Sequence, residues 1–265
     1  MKQTLRAFGL LLALKTLLVA GPRSLLLEEP ASTAIAMLAT VGLVGLVRQR
    51  AWGAAALLLA LAVRVADTFP HTLNHAWFEC LAAVILWRAF ASPDVRVIAQ
   101  AHAVLRFALL SVFFYSGIQK LVHGQFASGE FLMHTVAFEG NHMSDTLRMA
   151  LRAFADLPRA DANELALRPV TLHVSPLLRG VLATLSAGII AAELVVPLLV
   201  VANVRGARWA LLATQVGIGL SSGEFDFALT ATGIVLLFWA EPPRAAWIGA
   251  FVGWAALIAA AVFSA

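Results

Sequence analysis

The sequence predicts an all-α fold: a polytopic transmembrane helix bundle of eight to nine spans, with one long external loop that carries an amphipathic helix. Three observations predict it. The 265 residues are 61% hydrophobic and only 13% charged, too apolar for an ordinary soluble domain. Apolar runs of near-spanning length recur between short polar breaks. The basic residues fall in pairs at alternate breaks, so a net charge of +4 reads as topology rather than as affinity for nucleic acid.

Nine apolar runs follow one another, at about 5–21, 31–47, 51–67, 75–91, 97–122, 177–203, 207–222, 226–240 and 246–263. The first has the length of a secretory signal. Lys15 interrupts its apolar core and Leu18-Val19-Ala20 is a poor cleavage site, so a retained helix is expected. The third, fourth, seventh and eighth runs are short for a span and would need tilting or shielding by neighbours. Neither an internal repeat nor a low-complexity linker divides the chain, so residues 1–265 read as one domain.

Lys2/Arg6, Arg48/Arg50, Arg88/Arg96, Arg205/Arg208 and Arg244 lie before the first run and in every second loop. The other short loops hold Arg23, Glu28, Glu29, Asp67, Glu224 and Asp226, a single basic residue among acids. The positive-inside rule then places the N-terminus in the cytoplasm of an inner (plasma) membrane and the segment 123–176 outside. Within that segment Leu147, Leu151 and Phe154 share one helical face, Arg148 and Arg152 turn away, and Ser144 is placed to cap the start. A helix lying on the membrane or covering the bundle fits this pattern, and so does a plain surface helix.

Depth sorts the polar residues onto one side. Lys15, Arg64, Asp67, Asn74, His75, Glu79, Lys120, Glu224 and Asp226 all fall toward the external half, with Arg64 and Asp67 spaced to pair. Charge in hydrocarbon is costly, so such residues are read first as functional. Arg106, nearer the cytoplasm, is expected to snorkel or to hold a helix junction. Glu193, near mid-membrane and four residues before Pro197, is expected to be protonated and hydrogen-bonded across helices. Cys80 reads as a packing residue, and no metal site is expected.

Lys120 lies at the end of a long apolar segment, VLRFALLSVFFYSGIQKL, which starts at Val104. Two readings of it stand. It snorkels to the interface, paired with Glu130 or Glu224. Or its surroundings keep the amine uncharged, and then it is a base.

Two segments bear on that choice. NHAWFECLAAVILW, from Asn74, resembles the Asn-His-aromatic helix opening of vitamin K-dependent γ-glutamyl carboxylases. VLRFALLSVFFYSGIQKL is similar to the same family's Val-Leu-Arg, aromatic run, Gly, polar pair and Leu, and Gly129 after Phe126 matches its aromatic-x-x-Gly. LSAGIIAAELVVP and QVGIGLSSGEF are weaker matches to its later helices. The chain thus resembles the HTTM membrane proteins related to those carboxylases. The resemblance implies Lys120 as catalytic base and His75 as its oxyanion-stabilising partner. It implies Asn74, Phe113, Phe114, Tyr115 and Phe126 around a quinol of the vitamin K or menaquinone type, entering from the lipid, with quinol oxygenation as the reaction. Departures are Ala108, Gln119 and Phe126, where the family usually carries Gln, a second basic residue and Trp. The carboxylases' propeptide-binding luminal domain has no counterpart here, so protein carboxylation is not expected. The rival expectation is a non-catalytic subunit resembling DoxX or MauE proteins that supports a periplasmic redox partner.

Overall fold

The computed structural model describes residues 1–27, 29–68, 74–122, 124–137, 149, 151, 175–222 and 225–264. The helices are α1 (Lys2–Leu27), α2 (Pro30–Val47), α3 (Ala51–Thr68), α4 (Asn74–Ala91), α5 (Val95–Val122), α6 (Gly124–Ala127), α7 (Glu130–Ala137), α8 (Pro176–Val201), α9 (Ala207–Ser222), α10 (Phe225–Leu236) and α11 (Arg244–Ser264). No strand occurs among the described residues. Each of the nine apolar runs is a helix, and among the described residues five are long and apolar enough to cross a bilayer: Lys2–Pro22, Pro30–Val47, Ala51–Thr68, Val95–Val122 and Pro176–Val201. At 1.5 Å per residue, the 12 residues of α10 reach only about 18 Å against roughly 30 Å of hydrocarbon. The expected run to residue 240 stops early because Leu237, Phe238 and Trp239 turn back to the carbonyls of Ile234, Val235 and Leu236. Most of the expected amphipathic helix of segment 123–176 lies outside the described residues.

The chain forms two compact units. The first contains residues 1–109 and 225–265, the second residues 110–224, so α5 begins in one and ends in the other. In the first unit α1 is the hub, packed against α2, α3, α4, α10 and α11. Ala20, Ile35, Ala39 and Ala60 form a small-residue core where α1, α2 and α3 meet. Pro30 starts α2, where its missing N–H costs nothing. Gly45 and Gly53 bring α2 and α3 into backbone contact, since a Cβ on Gly45 would stand 2.3 Å from the Gly53 Cα. Phe225 stacks obliquely on Trp254 at 6.2 Å, and the Trp254 indole donates to Thr232 Oγ1 at 3.0 Å, which pins α10 to α11.

The cytoplasmic-end reading of Arg106 resolves into a junction. The His102 Nε2 lies 2.9 Å from the Met1 carbonyl, an acceptor only, so Nε2 carries the proton and Nδ1 accepts from Arg106 at 3.4 Å. The Arg106 guanidinium also sits 5.7 Å from the Phe238 ring centroid.

In the second unit α8 packs against α6, α7 and α9. Ser175 caps α8 by accepting from the Leu178 N–H at 3.3 Å, and Pro176 follows at the first helical position. Leu132, Met133, Val136, Leu151, Leu178 and Leu182 make its core. Leu151, expected on an apolar helical face, is thus buried against α7 and α8, while Met149 is exposed. The outer surface is greasy: Phe107 is 71% exposed, Trp209 65% and Ile248 63%. A surface this apolar faces lipid, not water.

Candidate functional site

Two clusters of charge lie inside the helices, one in each unit. In the first unit Lys15 of α1 and Glu79 of α4 are both fully buried and paired through Glu79 Oε1. Thr230 of α10 donates to the same oxygen at 2.9 Å. Arg64 of α3 reaches Glu79 Oε2 at 3.3 Å and Asp226 Oδ2 at 2.8 Å, and Lys15 stands 3.9 Å from that Asp226 oxygen. Two cations and two anions from four helices therefore balance. Arg64 pairs with Glu79 and Asp226 rather than with Asp67, the neighbour three residues on that the sequence offered. Because each member is bonded, the cluster is a cross-brace between four helices.

The second cluster surrounds Lys120, and its partner is Glu193 of α8 rather than Glu130, while Glu224 lies outside the described residues. Lys120 Nζ donates to Glu193 Oε1 and, at 2.8 Å, to Ser116 Oγ one turn earlier on α5. Close packing makes the pair. A Cβ on Gly117 would come within 2.9 Å of Leu194 and 3.1 Å of the Glu193 Cβ, so this turn of α5 has room for α8 side chains only as glycine. Gly129 meets a backbone demand: its φ is +80°, and a Cβ there would stand 2.8 Å from the Ala183 nitrogen of α8. The aromatic-x-x-Gly element thus seats the α6–α7 turn against α8.

Glu193 is 2% exposed and its Oε2 has no hydrogen-bond partner among the described residues. Leaving a buried acceptor unmet costs about 1–3 kcal/mol, more when it is charged. Pro197, four residues on, has no N–H to close the helical bond to the Glu193 carbonyl. Ser186 Oγ, two turns earlier on the same buried stripe of α8, is also unpartnered. The Lys120 side chain is 26% exposed, so the pair is reached from the lysine side.

Of the four aromatics, Phe126 is the one that stands beside Lys120, with its ring centroid 5.5 Å from Nζ and stacked at 5.3 Å on Phe131. Phe113 is buried two turns back on the same face of α5 as Lys120. Tyr115 is 62% exposed, and at 100° per residue it stands about 140° around the helix from Lys120, with Phe114 about 120° away. Those two positions belong to other faces of α5. The backbones of Asn74 and His75 open α4 in the first unit, but their side chains lie outside the described residues. His71 and His75 are four residues apart, a metal-ligand spacing that the expectation of no metal passes over, and His71 lies outside the described residues too.

Sequence reasoning missed the two pairings themselves. The signal available was charge balance: Lys15 and Arg64 against Glu79 and Asp226, Lys120 against Glu193. Together the apolar helices and the paired internal charges define a helical protein of membrane type. No protein-family model, curated protein or solved structure matches the chain.

Proposed function

We propose that this chain is a multi-pass inner-membrane protein that binds a quinol of the vitamin K or menaquinone type at Lys120 of its second unit. The observation that carries the reading is a buried salt bridge in an apolar helix pair, open on its lysine side and walled by the Phe126 ring. A flat ring with a hydroxyl matches such a site: apolar wall for the ring, paired charges for the oxygen. The Lys120–Glu193 pair then receives the hydroxyl proton, and the quinolate so formed is the species that dioxygen oxidises. In this reading the apolar runs cross the membrane as eight to nine spans, with the N-terminus cytoplasmic, segment 123–176 external and the short runs shielded by neighbours. The test is menadiol-dependent oxygen uptake by the purified protein in lipid nanodiscs. Wild type should turn over and Lys120→Ala should not; equal rates in both would remove the reading.

One observation favours a second reading. The first-unit charges satisfy one another, as a purely structural membrane subunit of the DoxX or MauE kind would require. A stable periplasmic redox partner recovered with the chain, together with no menadiol oxidation, would select it.

A further inference from the structure

We infer that Glu193 Oε2 is the proton acceptor of the Lys120 site, and that the site takes a neutral ligand presenting an aromatic hydroxyl. The inference rests on the quinol reading for its physiological ligand, but its argument stands on α5, α6 and α8 alone. A carboxylate offers about four lone-pair positions. Lys120 occupies Oε1, whereas Oε2 is buried with no partner among the described residues. Such an atom has a lone pair open to a donor that a ligand can supply.

Charge selects the class of donor. A cationic ligand would compete with Lys120 for Glu193, and an anionic one would meet the carboxylate it must approach. A neutral hydroxyl does neither. The Phe126 ring beside Lys120, backed by Phe131, gives an aromatic body a face to stack on. Proton transfer then balances within the site: the ligand O–H bond breaks, an O–H bond forms on Glu193 Oε2, and the ligand oxyanion replaces the carboxylate as counter-charge to the Lys120 ammonium. Lys120 thereby orients the carboxylate before transfer and holds the oxyanion after it. The base assignment moves from the lysine to the glutamate.

The test uses the full chain in nanodiscs with three probes: menadiol, its dimethyl ether, and phenol. Wild type is expected to bind menadiol at least tenfold more tightly than the ether, and Glu193→Gln to bring the two within about twofold. Phenol is expected to donate a hydrogen bond that shifts a carboxylate infrared band of the wild type, a shift that Glu193→Gln lacks and Glu130→Gln keeps. Retained discrimination in Glu193→Gln overturns the inference while leaving quinol binding intact. A wild type that ignores menadiol yet shows the phenol shift overturns the quinol reading and leaves the acceptor in place. Should Glu193→Gln fail to accumulate, the wild-type spectrum decides alone: an unshifted carboxylate band with phenol bound overturns the assignment.

Discussion

Replacing Glu79 by Gln should destabilise the first unit more than any other single conservative change in the chain. The substitution keeps the volume and removes one charge from a balanced set of four. Lys15, fully buried, would keep as counter-charge only Asp226 at 3.9 Å, an oxygen already bonded to Arg64 at 2.8 Å. Hydrogen bonds between membrane helices average about 0.6 kcal/mol, because the separated helices find other partners. Stranding a buried charge is a larger effect, about 3–5 kcal/mol when one member of a buried pair is removed. Asp226 still offsets part of the loss, so the low end, about 3 kcal/mol, is expected. That is roughly a hundredfold in the unfolding equilibrium. The assay is SDS-induced unfolding in mixed micelles, followed by tryptophan fluorescence. Removing both partners, as Lys15→Leu with Glu79→Leu, should recover a substantial part of the loss, since Arg64 and Asp226 remain paired. A Glu79→Gln protein within about 0.5 kcal/mol of wild type, or a double variant worse than the single, would refute the cross-brace argument.

Thr230→Val removes a 2.9 Å bond to an oxygen that Lys15 still holds and a long 3.4 Å contact to the Asp226 carbonyl, so the same titration should register about 0.6 kcal/mol and no more than about 1.7. Gly45→Ala drives a Cβ into the Gly53 backbone and should cost about 1–3 kcal/mol, whereas Gly249→Ala, which meets nothing within 4 Å, should be silent. For the proposed orientation, cysteines placed at Gln49 and Asn203 in a Cys80→Ser background should react with an impermeant maleimide from the cytoplasmic face. Labelling of either from the periplasm would reverse the topology.

Where the long apolar helices lie was legible in the sequence, because hydropathy and run length act over neighbouring residues; the short α6 and α7, inside the expected external loop, were not. Pro30 and Pro176 mark helix starts, and Arg48 to Arg50 marks a turn, without reference to anything distant. The presence of a polar site was legible too, since Lys15, Glu79, Arg64, Lys120 and Glu193 stand out against their apolar surroundings. Who pairs with whom was not. Arg64 is 162 positions from Asp226 and Lys120 is 73 from Glu193, and local spacing preferred Asp67 for the first and Glu130 for the second. A buried charge takes the counter-charge that packing brings within reach, and the contacts made by Gly117 and by the buried α10 are properties of the assembled helices. Composition and periodicity determined that this is an all-helical protein made for lipid. The choice of Glu193 as the partner of Lys120, and the carboxylate oxygen left open beside it, arose only when α8 closed on α5.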